Sequence, residues 1–187
     1  MIENDTDDAY RNQVKVNYEF SSWAGRTKVG NNNVRLLDFR IESEDLQGWK
    51  LEEAEELPPG TRQLRVVRYI YGSLRESTSQ RLVTKVFECN SVTDAHETLI
   101  DVVMTYMARN LPRCETKGLE VGDICFGSHG DVNLSVIFAR FNILVEIQSA
   151  TPGPASVDEF ARNVDSLIGI RFTRMNEMGE GAGREPA

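Results

Sequence analysis

Residues 13–20, QVKVNYEF, alternate apolar and polar positions. Val14, Val16, Tyr18 and Phe20 fall on one side and Gln13, Lys15, Asn17 and Glu19 on the other. A period of two predicts a half-buried strand. VGNNNV then reads as a turn, because Gly and Asn accept positive φ, and a second strand is predicted over 34–41, with Leu37, Phe39 and Ile41 on one face. GWKLEEAEELPPG is divided between its glutamates, which favour helix, and Trp49, Leu51 and the closing Pro58-Pro59-Gly60, which suit a strand ending in a turn. We read a strand over 49–57. RQLRVVRYIYG and QRLVTKVFECN carry apolar residues on both faces, the pattern of central strands or of a strand with a bulge.

The period changes after Asn90. Val92, Leu99, Val103 and Tyr106 form an apolar row, joined by Ala95, Ile100, Met104 and Met107. Asp94, Glu97, Thr98, Asp101, Thr105 and Arg109 form the opposite, wet face. This predicts a helix over 92–109 with Ser91 as N-cap and Asn110 and Pro112 as its stop. A short strand is expected at 123–127. VNLSVIFAR and ILVEIQS follow as a hairpin closed by Phe141 and Asn142. That two-residue loop sets Phe138 opposite Val145 and Val136 opposite Ile147 on one side of the sheet. After the loop ATPGPAS, the spacing Ser156-x-x-Glu159 predicts a last helix that buries Val157, Phe160, Ala161, Val164, Leu167 and Ile168.

Strands cluster instead of alternating with helices. The expected fold class is α+β: a mainly antiparallel sheet with two principal helices packed on it. A dinucleotide-binding fold needs βαβ alternation and a Gly-rich loop after the first strand, and both are missing. The chain divides into a flexible acidic lead at 1–12, a single domain at 13–172 and a flexible tail at 173–187.

Charge narrows the function classes. The 187 residues carry a net charge of −8, which opposes binding to phosphate backbones and anionic lipid. One segment departs from this: residues 61–81 hold Arg62, Arg65, Arg68, Arg75 and Arg81 against Glu76. An internal pairing with Glu52, Glu53, Glu55 and Glu56 explains it without nucleic acid, which is not an expected partner. Arg65 and Arg68 also point to opposite faces of a regular strand. No apolar run is long enough to span a bilayer, so no membrane insertion is expected. The three cysteines, Cys89, Cys114 and Cys125, are widely spaced, and their odd number is not that of a disulfide framework. Reduced thiols and a cytoplasmic location are expected, with secretion only if a signal peptide has been removed.

The densest chemistry lies in CFGSHGDVN, residues 125–133. Cys125, His129 and Asp131 are the candidate set for a thiol-dependent hydrolase, which needs a thiolate within hydrogen-bond reach of an imidazole. In an extended strand Cys125 and His129 stand about 13 Å apart. The preferred reading is a tight turn, with unusual φ at Gly127 and Gly130 and with Ser128 and Asp131 bonded to local backbone. Its Gly127-Ser-His-Gly130 spells the G-x-x-G of the KH RNA-binding loop, but here it joins strands and precedes an acid. His96 sits at the margin of the apolar row and is expected to be packed. No metal-ligand spacing is present, and no metal or cofactor is expected.

The stretches LEVGDICF, VNLSVIFARFNILVEIQS and SVDEFARNVDSL, preceded by VFECNSVTDAHETLIDVVMTYM, resemble a class of uncharacterised bacterial α+β domains running strand, helix, VGD turn, hairpin, helix. That class has Gly at the hairpin tip where this chain has Phe141. The element order is also similar to PsbP-like domains, and this similarity implies a non-catalytic accessory module. Together these readings predict an uncharacterised, non-enzymatic binding module for a protein partner or small apolar ligand. Phe141, Trp49, Tyr69 and Tyr71 are its candidate binding residues, and the thiol hydrolase is the alternative.

Overall fold

The computed structural model describes residues 3–26, 34–36, 41, 46–59, 64–74, 80–106, 110–150 and 156–181. Among the described residues six strands form one sheet: β1 (Trp49–Leu57), β2 (Arg65–Ser73), β3 (Arg81–Glu88), β4 (Ile124–Gly127), β5 (Ser135–Arg140) and β6 (Ile143–Ser149). Their order is β1-β2-β3-β6-β5-β4, and every neighbouring pair is antiparallel. Three main helices accompany it: α1 (Glu3–Asn17), α2 (Val92–Thr105) and α3 (Asp158–Gly181). The class is α+β, as the clustering of strands predicts. β1 is a strand, and β2 and β3 are interior. The irregularity falls in β1, where the register shifts between Leu51 and Glu53. Gly72 lies under the extra residue: a Cβ there would come within 2.4 Å of the Glu52 carboxylate.

The two faces of the sheet are covered by different layers. Tyr69, Tyr71, Leu82, Val86, Val136, Phe138, Val145 and Ile147 pack with Phe160, Ala161, Val164 and Ile168 of α3. Val66, Ile124, Phe126, Ile137, Ala139 and Leu144 pack with Ala95, Leu99, Ile100 and Val103 of α2, and with Val14, Tyr18 and Trp23. The hairpin register agrees with the expectation, with Val136 opposite Ile147 and Phe138 opposite Val145.

One expected strand is a helix. QVKVN ends α1, and Phe20–Gly25 forms a 3-10 turn. Val14 and Tyr18 are buried, whereas Val16 is 72% exposed. A spacing of four satisfies a strand face and a helix face equally, so only Val16 separates the two, and it points to solvent. The helix stops at Glu19, whose φ of 53° is left-handed. Trp23 locks the turn from within the core, donating its Nε1–H to the Tyr18 carbonyl at 2.9 Å. Arg11 bridges Glu97 and Asp101, and Lys15 meets Glu97 at 2.7 Å, so α1 is tied to α2 by charge as well as by apolar contact. Residues 3–12, expected as a lead, belong to α1, and α3 extends through 173–181, expected as tail. Of the second predicted strand, residues 37–40 lie outside the described residues, and 34–36 and 41 are not in a strand: Leu36 is in a turn.

Helix α2 begins as predicted: the Ser91 hydroxyl accepts from the Asp94 N–H at 3.1 Å. It ends at Thr105, with Tyr106 as its C-cap. Thr98 corrects the expected wet face. It is buried, and its hydroxyl donates to the Asp94 carbonyl at 2.7 Å, which satisfies it inside the helix. His96 is also buried and meets the Trp23 ring edge-on at 5.6 Å between centroids.

The hairpin tip is held by several polar contacts. Phe141 has φ 54°, the left-handed value that a primed turn requires. Its N–H donates to Asp123 at 2.9 Å, and its ring stacks on Phe172 at 3.7 Å. Arg140 joins Asp123 to Asp165 at 3.2 and 3.0 Å. Burial pushes the Asp165 carboxyl up, against the pull of the Arg140 charge. Asn142 is fully engaged: its amide donates to the Val34 and Cys89 carbonyls at 2.9 Å each, and its oxygen accepts from the Val34 N–H at 2.8 Å.

Candidate functional site

The stretch richest in reactive residue types builds a turn. Cys125 lies in β4 opposite Phe138, on the α3 face, and is bonded to Cys114 as a disulfide with Cα atoms 5.4 Å apart. The expectation of reduced thiols is therefore corrected: of the three cysteines, Cys89 alone lies outside the disulfide. Sequence spacing could not show this, because the bridge depends on the 3-10 turn Cys114–Lys117 folding back along the sheet edge. There the backbone of Arg113 pairs with Phe126, and the Gly127 N–H donates to the Pro112 carbonyl at 2.9 Å. His129 is exposed and lines a cavity on the opposite face of the sheet. Asp131 is exposed in the loop. Sulfur, imidazole and carboxylate are not brought together.

The loop after β4 is held by its polar residues. The Ser128 hydroxyl accepts from the Leu134 N–H at 2.9 Å. Lys117 donates to the Ser128 carbonyl and to Asn133 at 3.1 Å, and Asn133 donates to Asp158 at 2.9 Å. Gly130 has the left-handed φ expected of it, 91°. Gly127 serves a different need. Its φ is ordinary, but a Cβ there would come within 2.4 Å of the Asn133 side-chain oxygen. The glycine admits a side chain that anchors the loop to α3.

The proposed aromatic residues lie in or against the core on the α3 face. Tyr69 and Tyr71 are buried and stack with centroids 6.1 Å apart. The Tyr71 hydroxyl donates to the Ile41 carbonyl at 3.0 Å, and its ring meets Phe160 at 5.0 Å. Trp49 packs edge-on against the same Phe160 at 5.5 Å. Phe141 folds back on Phe172. Trp49, Tyr69 and Tyr71 gather near Phe160 at the start of α3, whereas Phe141 meets Phe172 farther along it, so no common surface is formed by all four.

Arg65, Arg68 and Arg81 of the basic segment pair internally as expected, while Arg62 and Arg75 lie outside the described residues. Arg65 meets Glu56 at 2.8 Å, Arg68 bridges Glu53 and Glu55 at 3.0 and 2.7 Å, and Arg81 meets Glu52 at 3.0 Å. These pairs lie across the β1 edge and its neighbours, where charge also discourages pairing with a second sheet.

The cavity is on the α1/α2 face, beyond the last turn of α2, and has a volume of about 240 Å³. Leu111, Phe126 and Ile137 supply apolar walls. Tyr106, Ser128, His129, Ser135 and Glu146 supply polar groups. Glu146 is 4% exposed. One of its oxygens accepts from the Tyr106 hydroxyl and from Gln148 at 2.7 Å, and the other meets Lys85 at 3.3 Å. Burial, then the Glu146 hydrogen bond and charge, push the Tyr106 phenol up, so it stays a protonated donor throughout the neutral range. Among the described residues no group of three or more His, Cys, Asp or Glu side chains could hold a metal ion.

Sequence reading did not single out Glu146, Tyr106, Lys85 or Gln148. The signal was present in β6. One face reads Val145, Ile147, while the other changes from Leu144 to Glu146 and Gln148. A switch from apolar to polar along one face marks the end of helix cover. In comparisons with known proteins, no family model, no curated protein and no solved structure matches this chain.

Proposed function

We propose that the protein is a non-enzymatic binding module whose ligand seat is the cavity between the end of α2, β4 and the middle of β5 and β6. The observation that carries this reading is a concave apolar site with a few convergent polar groups, on the sheet face that also packs α2. A volume of about 240 Å³ is below the span of drug-sized pockets, roughly 300–1,000 Å³, and suits a single ring with a short arm. The resemblance to accessory α+β domains is in keeping with binding without chemistry. The thiol-hydrolase alternative loses its nucleophile, since the Cys125 sulfur is bonded to Cys114.

The disulfide also bears on location. No described helix is long and apolar enough to cross a membrane. A structural disulfide persists in oxidising surroundings and is rare where glutathione keeps thiols reduced. This supports an oxidising compartment over the cytoplasmic expectation. The ligand seat is tested by a ligand-observed NMR screen of ring-sized fragments against the wild type and Ser135→Trp. Fragments that bind the wild type should be lost when the indole fills the cavity. Binding unaffected by the substitution would place the seat elsewhere.

A further inference from the structure

We infer that the ligand of this cavity is a small organic cation: a ring-sized apolar body carrying a protonated nitrogen that is read by Glu146. The inference rests on the cavity being a ligand seat. Among its described lining residues Glu146 is the one carboxylate, and no Lys or Arg is among those described. Lys85 reaches the Glu146 carboxylate, but it does not line the cavity, and its own side chain is 37% exposed. The carboxylate is thus shared between a solvated ammonium and the cavity.

Glu146 retains capacity for one further donor. A carboxylate offers about four acceptor sites. Three donors use them among the described residues: the Tyr106 hydroxyl, Gln148 and Lys85. A ligand ammonium can take the remaining site. A carboxylate on the ligand would instead face a buried acid with no Lys or Arg among the described lining residues, and like charges brought together out of water are disfavoured. The net charge of −8 acts in the same sense at long range.

The test is a matched series: benzylammonium, benzyl alcohol and benzoate, which share one ring and differ in charge. Each is titrated into the full chain while the amide NMR signals of the cavity residues are followed. Benzylammonium should bind about tenfold more tightly than benzyl alcohol, the margin expected of a hydrogen bond to a charged group, and benzoate should not bind. Glu146→Gln should abolish the preference for benzylammonium over benzyl alcohol. Lys85→Gln, at a partly exposed position, should strengthen benzylammonium binding by removing its competitor. It tests the same idea if the Glu146 variant fails to fold. Benzoate binding as tightly as benzylammonium, or a Lys85→Gln protein indifferent to the cation, would overturn the inference while leaving the ligand seat standing. If none of the three compounds moves a cavity signal, the ligand seat itself falls.

Discussion

Single residues carry more of this fold than their exposure suggests, and Asn142 is the clearest instance. Its side chain satisfies three buried backbone groups, on Val34 and Cys89. Each such group left unpaired costs about 1–3 kcal/mol. Asn142→Ala should therefore lower the unfolding free energy by roughly 3 kcal/mol or more, read from urea denaturation. A loss within about 0.5 kcal/mol would mean that water replaces the amide. His96 makes a prediction in pH. Burial holds its imidazole below the ordinary value of 6.5. Between the folded and unfolded pKa values the unfolded chain binds more protons, so stability rises with pH through that window and falls as pH drops below 6.5. His96→Gln should flatten that part of the stability profile relative to wild type. An unchanged slope would show that His96 is not the group responsible. At this scale the sequence was legible where a residue type has one use. Phe141 breaks the rule for a turn residue, and it does adopt left-handed φ and fold back. It was not legible where the use depends on what lies opposite, as with Gly127, whose need is space for Asn133.

At the scale of elements, the strands and the β5–β6 register followed from alternation and turn chemistry, and α2 from its cap and period. The exception is α1. Tyr10, Val14 and Tyr18 recur every four residues, which fits a strand and a helix alike, and the side chain at 16 decides. This has a direct test. On a strand Val14 and Val16 share a face, whereas on α1 they do not. Val14→Ala should cost about 2 kcal/mol, as expected of a buried apolar truncation. Val16→Ala should change stability by less than about 0.5 kcal/mol. Equal losses at the two positions, measured by denaturant unfolding, would restore the strand. The pairing of the basic segment was also visible in advance, because arginines and glutamates on adjoining stretches had no other evident partner. The outcome places Arg65, Arg68 and Arg81 on Glu52, Glu53, Glu55 and Glu56.

At the scale of the molecule, two long-range facts were beyond the sequence: the disulfide and the unequal cover of the sheet. Cys114 and Cys125 are 11 residues apart, and whether they meet depends on a chain reversal at the sheet edge. The bridge closes a short loop, so replacing both cysteines with serine should cost about 2–4 kcal/mol. Alkylation of the denatured wild-type protein should label one thiol without reductant and all three with it. Labelling of all three without reductant would remove the bridge from the account. The cover of the sheet sets where the proposed ligand seat lies. Helix α3 closes one face over Tyr69 and Tyr71, while α1 and α2 leave the far half of the other face to Glu146, Tyr106 and the cavity. The aromatics chosen from the sequence were conspicuous because they are large. The site residues were not, because their meaning comes from an empty volume, and no pattern along a chain records one. The most direct test is amide NMR mapping of a bound ring-sized fragment on the full chain. The account predicts that the perturbed signals centre on Tyr106, Leu111, Gly127, Ser135 and Glu146. Perturbations centred instead on Trp49, Tyr69, Tyr71 and Phe141 would contradict it.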